Sequence, residues 1–172
     1  MMIICDLDGT LSDCRHRQHL AVAGAWEEFH ALAHQDLPHQ HVLELLRINL
    51  DSGNGLIFLT GRPEYMREAT MEWLSNTCGL ELDDDYLELL MRPKDDWASD
   101  IVVKQNLLIN SMVEGELGEW LRQHMQSEEP LVLLQPTMEL VEELLFLDDR
   151  DKVVAMWRDL GYACWQTMEG AF

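Results

Sequence analysis

The 172-residue sequence has few basic residues, no closely spaced cysteine pair and no long apolar run. Its 12 Lys and Arg residues face 32 Asp and Glu residues, which gives a formal net charge of -20. A chain of this kind lacks the basic stripe that proteins use to bind along a nucleic-acid backbone. The shortage of basic residues argues against binding along a nucleic-acid backbone, but it still allows the protein to bind one phosphate at a chain end. The excess of acids also favours solubility.

The absence of closely spaced cysteines and of a long apolar run limits the cellular compartments in which we expect the protein. The four cysteines lie far apart in the sequence, so we expect reduced thiols rather than a disulfide framework. No stretch approaches the roughly 18 consecutive apolar residues of a membrane span, and the first residues lack the basic segment of a secretory signal. We therefore expect a cytoplasmic protein without a membrane partner.

Short apolar runs alternate with segments of helical spacing along the chain. The runs predict strands at 2–5, 56–60, within 85–93, at 143–150 and at 162–166. The helical segments are 25–33, 39–50, 64–76, a helix that begins near Ser99, and 151–161. This alternation is typical of an α/β fold with a mostly parallel sheet. We predict one domain over 1–172, with 12–36 as a candidate cap and 113–138 as a candidate insertion.

Acidic side chains follow the first and the fourth of these strands. Asp6 and Asp8 come directly after residues 2–5, and Asp148 and Asp149 lie at the end of 143–150. The carboxyl ends of parallel strands meet at one edge of the sheet, where four crowded carboxylates would repel each other unless a cation lay between them. Ligation by oxygen alone favours a hard cation. The sequence therefore predicts an Mg²⁺ site formed by these four acids.

The residue types at this edge indicate phosphate chemistry. Asp6 is the candidate nucleophile, which would form an aspartyl-phosphate, and Asp8 is the candidate general acid and base. Gly9 would permit a tight turn that presents backbone N–H groups to the phosphate. The Thr60 hydroxyl and the Lys104 ammonium would contact the transferring group, and together with Mg²⁺ they would stabilise its charge.

Four motifs carry a family resemblance. The stretches "DLDGT" (6–10), "LTGR" (59–62), Lys104 and "FLDDRD" (146–151) stand in the order of the motifs of the haloacid dehalogenase superfamily of phosphohydrolases. The stretch 92–104 and the last 26 residues, 147–172, look like the 3′-phosphatase domain of bacteriophage polynucleotide kinase/phosphatases. The resemblance implies a Rossmann-like three-layer sandwich with a small helical cap or insertion.

The resemblance also implies roles for single residues. It makes Asp6 the nucleophile and Asp8 the general acid and base, and it points to substrate-binding residues, which are Gly9, Thr10, Arg17, Gly61, Arg62 and Asp100. The residues alone leave two of these roles open. Arg62 either forks onto a phosphate or makes a salt bridge at a helix start. Asp100 either orients Lys104 one turn later or acts through its place near a helix N-terminus.

The function that follows is an Mg²⁺-dependent phosphomonoesterase that removes 3′-phosphates from DNA or RNA ends. No GxxxxGK[ST] pattern occurs in the sequence, so a 5′-kinase activity is not expected. The first alternative is the same chemistry on a free nucleotide or another small phosphate ester, which the acidic surface favours. The second is a catalytically silent metal-binding module, which the intact set of motif residues disfavours.

The stretch after the first motif is rich in histidine. It fits a cap region better than a zinc site. His30 and His34 share a helix face at metal-ligand spacing, but there is no HExxH pattern and no evident third ligand. We expect these histidines to lie partly exposed in the cap, where they could help to receive the substrate. Trp157 and Trp165 are expected in the core rather than as base-stacking platforms.

Overall fold

The computed structural model describes residues 1–81, 87–125 and 132–170. Five parallel strands form its central sheet, and they are β1 (Met2–Cys5), β4 (Gly55–Pro63), β5 (Leu87–Arg92), β6 (Leu144–Arg150) and β7 (Ala163–Gly170). Their order across the sheet is β5-β4-β1-β6-β7. Strand β1 is therefore central, and the residues after it lie in the middle of the carboxyl edge.

Helices cover both faces of this sheet. They are α1 (Gln18–Val22), α2 (Trp26–Ala31), α3 (Gln40–Asp51), α4 (Arg67–Cys78), α5 (Asp100–Glu114), α6 (Glu116–His124), α7 (Met138–Glu143) and α8 (Asp151–Asp159). Helices α3 and α4 pack on one face, and α5, α6 and α8 pack on the other. The predicted three-layer, Rossmann-like α/β sandwich is confirmed. Within the described residues, no helix has both the length and the apolarity of a membrane span.

The alternation of side chains along β1 explains the three layers. Ile3 and Cys5 belong to the core under α3 and α4, whereas Met2 and Ile4 belong to the core under α5 and α8. A strand buried on both faces appears in sequence as an unbroken apolar run. Each such side chain contributes roughly 1.5–3 kcal/mol through its burial. The apolar run that predicted β1 is thus the centre of both cores.

The chain leaves the sheet between β1 and α3. A short antiparallel pair closes this excursion, because β2 (Ser12–Asp13) pairs with β3 (Leu37–Pro38). The helix predicted at 25–33 is present as the shorter α2, and the structure adds a helix before it, α1, that the sequence did not predict. Gly24 has a φ of 73° between them, a left-handed conformation that glycine adopts without strain and that ends the first helix.

The segment 113–138 contains a helix that completes one core. Leu117 and Trp120 of α6 are buried against the sheet. Gly118, which appeared in sequence as an interruption, lies inside α6, and a Cβ there would come within 2.0 Å of the Met112 carbonyl oxygen. Glycine thus allows α5 and α6 to approach closely. Residues 126–131, including the start of the apolar stretch 131–135, lie outside the described residues.

The remaining helix and tryptophan predictions have mixed outcomes. Ser99 does precede α5 at the N-cap position, but its side chain makes no capping hydrogen bond. Trp157 is in the core as predicted and stacks on Phe146 at 4.1 Å between ring centroids. The prediction for Trp165 is wrong, because this side chain is 56% exposed. It lies on the edge strand β7, where Cys164 takes the inward position.

Candidate active site

The end of β1 brings Asp6 next to the acids that end β6. Cys5 pairs with Leu147 in the parallel ladder. The residues that follow them, Asp6 and Asp148, therefore lie at the same level of the sheet. One carboxylate oxygen from each of Asp6, Asp148 and Asp149 lies within 4.8 Å of the other two. All three side chains are buried. The predicted convergence of distant acids is present for these three residues.

One ammonium group lies among the three carboxylates. Lys104 of α5 places Nζ 2.9 Å from Asp6 Oδ1 and 2.6 Å from Asp148 Oδ2. We call Asp6, Asp148, Asp149 and Lys104 the carboxylate cluster. Its three acids outnumber its one base, and the side chain of Lys104 is 1% exposed. The cluster therefore holds uncompensated negative charge in a dry environment.

Burial together with neighbouring carboxylates moves the pKa of Asp6 and the pKa of Asp149 upward. Burial raises the pKa of Asp6 well above its ordinary value, and Asp148 adds to the rise while Lys104 opposes it. Burial and the neighbouring Asp148 raise the pKa of Asp149 to about 7. Although burial opposes it, the charges of Asp148 and Asp6 raise the pKa of Lys104. The cluster would be stabilised by more positive charge.

The carboxylate cluster fits a hard divalent cation. Asp149 Oδ1 is buried and has no hydrogen-bond partner among the described residues. Such an orphaned oxygen costs free energy unless a cation or a donor reaches it. The donor set consists of carboxylate oxygens, which Mg²⁺ prefers. Asp6, Asp148 and Asp149 are therefore the residues that would hold the ion.

Gly9 makes room for this cluster. Its φ is 92°, and a Cβ at this position would come within 2.2 Å of Asp149 Oδ2. Any other residue would meet both the strained backbone and the carboxylate. The N–H of Gly9 itself donates to the Ser12 carbonyl at 2.9 Å, so it is not one of the N–H groups that the turn could present to a phosphate. The N–H of Thr10 likewise donates to Leu7, and its side chain is fully buried.

Asp8 lies in different surroundings from Asp6 and is not part of the carboxylate cluster. Its Oδ1 accepts hydrogen bonds from Arg17 Nη2 at 2.5 Å and from Arg62 Nη2 at 2.6 Å. The charges of Arg62 and Arg17 outweigh burial and lower the pKa of Asp8. The expectation that the Asp8 carboxylate binds the metal is thus corrected, since two guanidinium groups already neutralise it.

A buried acid that the sequence did not reveal holds the same arginines. Asp36 accepts from Arg17 Nε at 2.8 Å, and its Oδ2 lies 3.5 Å from Arg62 Nη2. Neither Arg17 nor Asp36 has any exposed side-chain surface, and the Arg17 guanidinium lies 4.0 Å from the Phe29 ring centroid. We call Asp8, Asp36, Arg17 and Arg62 the arginine cluster. The sequence gives one indirect sign of Asp36: an arginine that becomes buried, such as Arg17, needs an acid as its partner.

The Asp100 carboxylate joins three cations. It accepts from Arg92 Nη2 at 3.1 Å and from Arg150 Nη1 at 2.7 Å, and it lies 3.9 Å from Lys104 Nζ. The charges of Lys104 and Arg150 outweigh burial and lower the pKa of Asp100. Asp100 is also the first residue of α5. The two positions considered from the sequence, beside Lys104 and at the start of a helix, therefore occur together. Sequence analysis had not singled out Arg92.

Gly61 and Thr60 shape the end of β4. A Cβ on Gly61 would come within 2.6 Å of Asp100 Oδ1, so glycine here admits that carboxylate. The buried Thr60 hydroxyl accepts the N–H of Arg62 at 3.2 Å. The fork of Arg62 lies on Asp8, not on an acid of the following helix. The salt bridge at the start of the following helix, one of the two roles considered for Arg62, is therefore not formed.

Comparisons with known proteins agree with this geometry. A family model described as the phosphatase domain of polynucleotide kinase PNKP matches residues 1–116 and 140–172. A chain from the structure of a Pnkp1/Rnl/Hen1 complex is 29% identical, with a TM-score of 0.67, and the match covers 99% of this chain and 46% of that one. A chain from a Pnkp1/Rnl/Hen1 RNA repair complex is 28% identical, with a TM-score of 0.65 and coverages of 99% and 43%.

The chain thus spans less than half the length of these structural relatives. The stretch of this chain that the family model does not match, 117–139, begins within α6 and ends within α7. No curated protein sequence matches the chain. The residues of the carboxylate cluster and of the arginine cluster all lie inside the matched ranges.

Proposed function

Because the chain belongs to the family of polynucleotide kinase PNKP phosphatase domains, a family of haloacid dehalogenase-type phosphatases, we propose that it removes 3′-phosphates from DNA or RNA ends with the help of Mg²⁺. The observation that carries the proposal is Asp6, buried beside Lys104 with two further carboxylates at hand. A structural relative is part of an RNA repair complex, which supports a nucleic-acid end as the substrate.

In the proposed first step, a carboxylate oxygen of Asp6 attacks phosphorus. A bond forms between this oxygen and phosphorus, and the bond from phosphorus to the 3′ oxygen breaks. The approach of one anion to another needs positive charge, part of which Lys104 supplies. A magnesium ion held by Asp6, Asp148 and Asp149 would supply further charge stabilisation.

Asp8 moves the protons in this proposal. It donates a proton to the leaving 3′ oxygen, and its carboxylate then takes a proton from the water that attacks the phosphoenzyme. That second attack breaks the bond from phosphorus to Asp6 and releases inorganic phosphate. The arginine cluster keeps Asp8 ionised before substrate binds. The substrate phosphate competes for Arg17 and Arg62, so the pKa of Asp8 rises and Asp8 takes up its proton as the complex forms.

One observation favours a second candidate function. The net charge of -20 repels a long polyanion, whereas a free nucleotide or another small phosphate ester carries less charge to be repelled. The same carboxylate and arginine clusters would serve this reaction, since only the group attached to phosphorus differs. A silent metal-binding module is disfavoured, because metal binding alone gives no reason for the ammonium of Lys104 to occupy oxygens of Asp6 and Asp148 that a cation would use.

The test compares three substrates in the presence of Mg²⁺. They are a 3′-phosphorylated oligonucleotide, its 5′-phosphorylated isomer and a nucleoside 3′-monophosphate, and we expect the first to give the highest kcat/KM. Asp6→Asn should lower turnover by ~10⁴-fold or more, as the loss of a nucleophile does. Asp159→Asn is the matched control, because Asp159 is exposed on α8.

Each alternative has its own outcome in this assay. A higher kcat/KM for the mononucleotide would favour the small-substrate phosphatase. If no phosphate ester, including a chromogenic one, is hydrolysed with Mg²⁺ present, the silent module is the better description. Equal turnover by Asp6→Asn and by the parent protein would remove Asp6 from the role of nucleophile.

A further inference from the structure

A cavity of about 610 Å³ opens beside Arg62 and has no part in the phosphate chemistry described above. It lies between α2 on one side and the turn Glu64–Met66 with α4 on the other. We propose that this cavity binds the terminal nucleoside of the phosphorylated strand, with Tyr65 as a platform for its base. The inference rests on the proposed function and names the part of the substrate that confers specificity beyond the phosphate.

The size and position of the cavity suit a nucleoside. Its volume falls within the range of about 300–1,000 Å³ that is usual for small-molecule sites, and a phosphoryl group alone would leave most of it empty. Arg62 lines the cavity and also lies 2.6 Å from Asp8. A nucleoside in the cavity would therefore have its phosphate next to Arg62, which connects the cavity to Asp8.

The walls of the cavity offer both aromatic faces and polar edges. His30 of α2 makes a hydrogen bond to the Tyr65 hydroxyl at 2.7 Å, and their rings meet at 69°. Tyr65 is 69% exposed, so a large aromatic ring lies in solvent at the mouth of the site. Trp73 lies further inside and donates its indole N–H to the Asp36 carbonyl. Exposed aromatic rings beside a phosphate site are what single-stranded nucleic acids stack on.

The charge of the lining distinguishes the cavity from the rest of the surface. In a chain with a net charge of -20, the described residues that line the cavity include one carboxylate, Glu27. They also include Arg62 and two histidines, His30 and His34. A negatively charged strand end meets less repulsion here than elsewhere on so acidic a protein. This favours the end of a nucleic acid over an apolar ligand or a second protein chain.

Binding measurements can separate the base from the phosphate. The protein carries Asp6→Asn so that no ligand is consumed, and the probes are a 3′-phosphorylated dinucleotide and inorganic phosphate. We expect the additional change Tyr65→Ala to weaken dinucleotide binding by about tenfold, the size of a lost base-stacking contact, and to leave phosphate binding within about twofold. Tyr65→Phe keeps the ring and should keep most of the affinity. Trp165→Ala, an exposed tryptophan outside the cavity lining, is the aromatic control.

Three results would overturn the inference. The first is a change of less than about threefold in dinucleotide affinity on Tyr65→Ala. The second is an equal weakening of both probes, since stacking should affect the base alone. The third is a reference protein that binds the dinucleotide no more tightly than phosphate. Failure of the proposed function would appear separately, as absence of phosphate release from 3′ ends by the unmodified chain. Selective weakening of dinucleotide binding would uphold the base site even then.

Discussion

The carboxylate cluster and the arginine cluster lie side by side and have opposite charge balance. The first sets three carboxylates against the ammonium of Lys104. The second sets two carboxylates against two guanidinium groups. Accordingly the pKa of Asp6 is raised and that of Asp8 is lowered, although one residue separates them in sequence.

The contrast shows how charge balance assigns roles to similar residues. Asp6 and Asp8 follow the last residue of β1, Cys5, so the alternation of the strand no longer sets the directions of their side chains. Asp6 meets Lys104 of α5, whereas Asp8 meets Arg17 and Arg62. A buried group of acids with too little positive charge favours a cation. In a balanced group of acids and arginines the guanidinium groups are already paired, so an anion must displace an acid to reach them. Under the proposed function, the first cluster would hold the metal and the second would bind the phosphate.

Among the changes that compare the two clusters, the largest effect is expected when Lys104 is replaced by Met, because this removes the one base of the carboxylate cluster. Turnover should fall by ~10³-fold, as for other groups that stabilise transition-state charge. Without Mg²⁺ the free energy of unfolding should fall by about 3–5 kcal/mol, since buried carboxylates lose their partner. Mg²⁺ should restore part of that loss by binding the folded state. Urea unfolding with EDTA and with Mg²⁺ measures both terms.

The exposed Lys152 of α8 offers the matched control, Lys152→Met. If Lys104→Met is as stable as the parent protein in EDTA, the cluster is not short of positive charge. If Mg²⁺ stabilises the variant no more than the control, the contrast between the clusters loses its basis.

The sequence was sufficient for the fold and for the carboxylate cluster because both follow from regular patterns. Unbroken apolar runs, typical of strands buried on both faces, predicted β1 and β6, and parallel pairing brings Asp6 to Asp148. The expected family relationship is confirmed by the match over most of the chain. Burial and strand order are collective properties, so they survive small errors in the bounds of any element.

The arginine cluster was less accessible to sequence reasoning. Asp36 lies in a polar stretch without periodicity, and its partners Arg17 and Arg62 come from distant parts of the chain. The direction of the Asp8 side chain depends on those same two arginines, so the sequence did not reveal that its carboxylate lies outside the group of Asp6, Asp148 and Asp149. The N–H of Gly9 is used inside its own turn, which only backbone coordinates can reveal.

A smaller effect is expected for Asp8→Asn, which changes the arginine cluster and spares the carboxylate cluster. Turnover should fall by at least ~10²-fold, a usual size for the loss of a general acid and base. The stabilisation by Mg²⁺ should equal that of the parent protein, because Asp8 is not among the acids that would hold the ion. Phosphate release and the Mg²⁺-induced shift in Tm are the two measurements.

The two readouts test different parts of the comparison. Near-normal turnover by Asp8→Asn would show that another group donates the proton. A lost Mg²⁺ shift with reduced turnover would return Asp8 to the metal, as the sequence had suggested, and would merge the two clusters into one site.

The smallest effect is expected for Asp36→Asn, because Asp36 acts through the arginines and not on the substrate. The amide keeps the shape of the side chain but removes a charge that holds Arg17 and lies 3.5 Å from Arg62. Small displacements of positioning groups lower catalysis, and we expect a fall of ~10-fold in kcat/KM. Assays well below the Tm of the variant separate this effect from unfolding, and Asp51→Asn at the exposed end of α3 is the control.

A purely structural role for Asp36 would lower the Tm and leave kcat/KM at low temperature unchanged. A role in holding the arginines should change mainly KM, because the substrate phosphate competes with Asp8 for Arg17 and Arg62. The Mg²⁺-induced shift in Tm should stay the same in either case, since Asp36 has no contact with the carboxylate cluster among the described interactions. A changed shift would mean that the two clusters are coupled, and their separation by charge would then be incomplete.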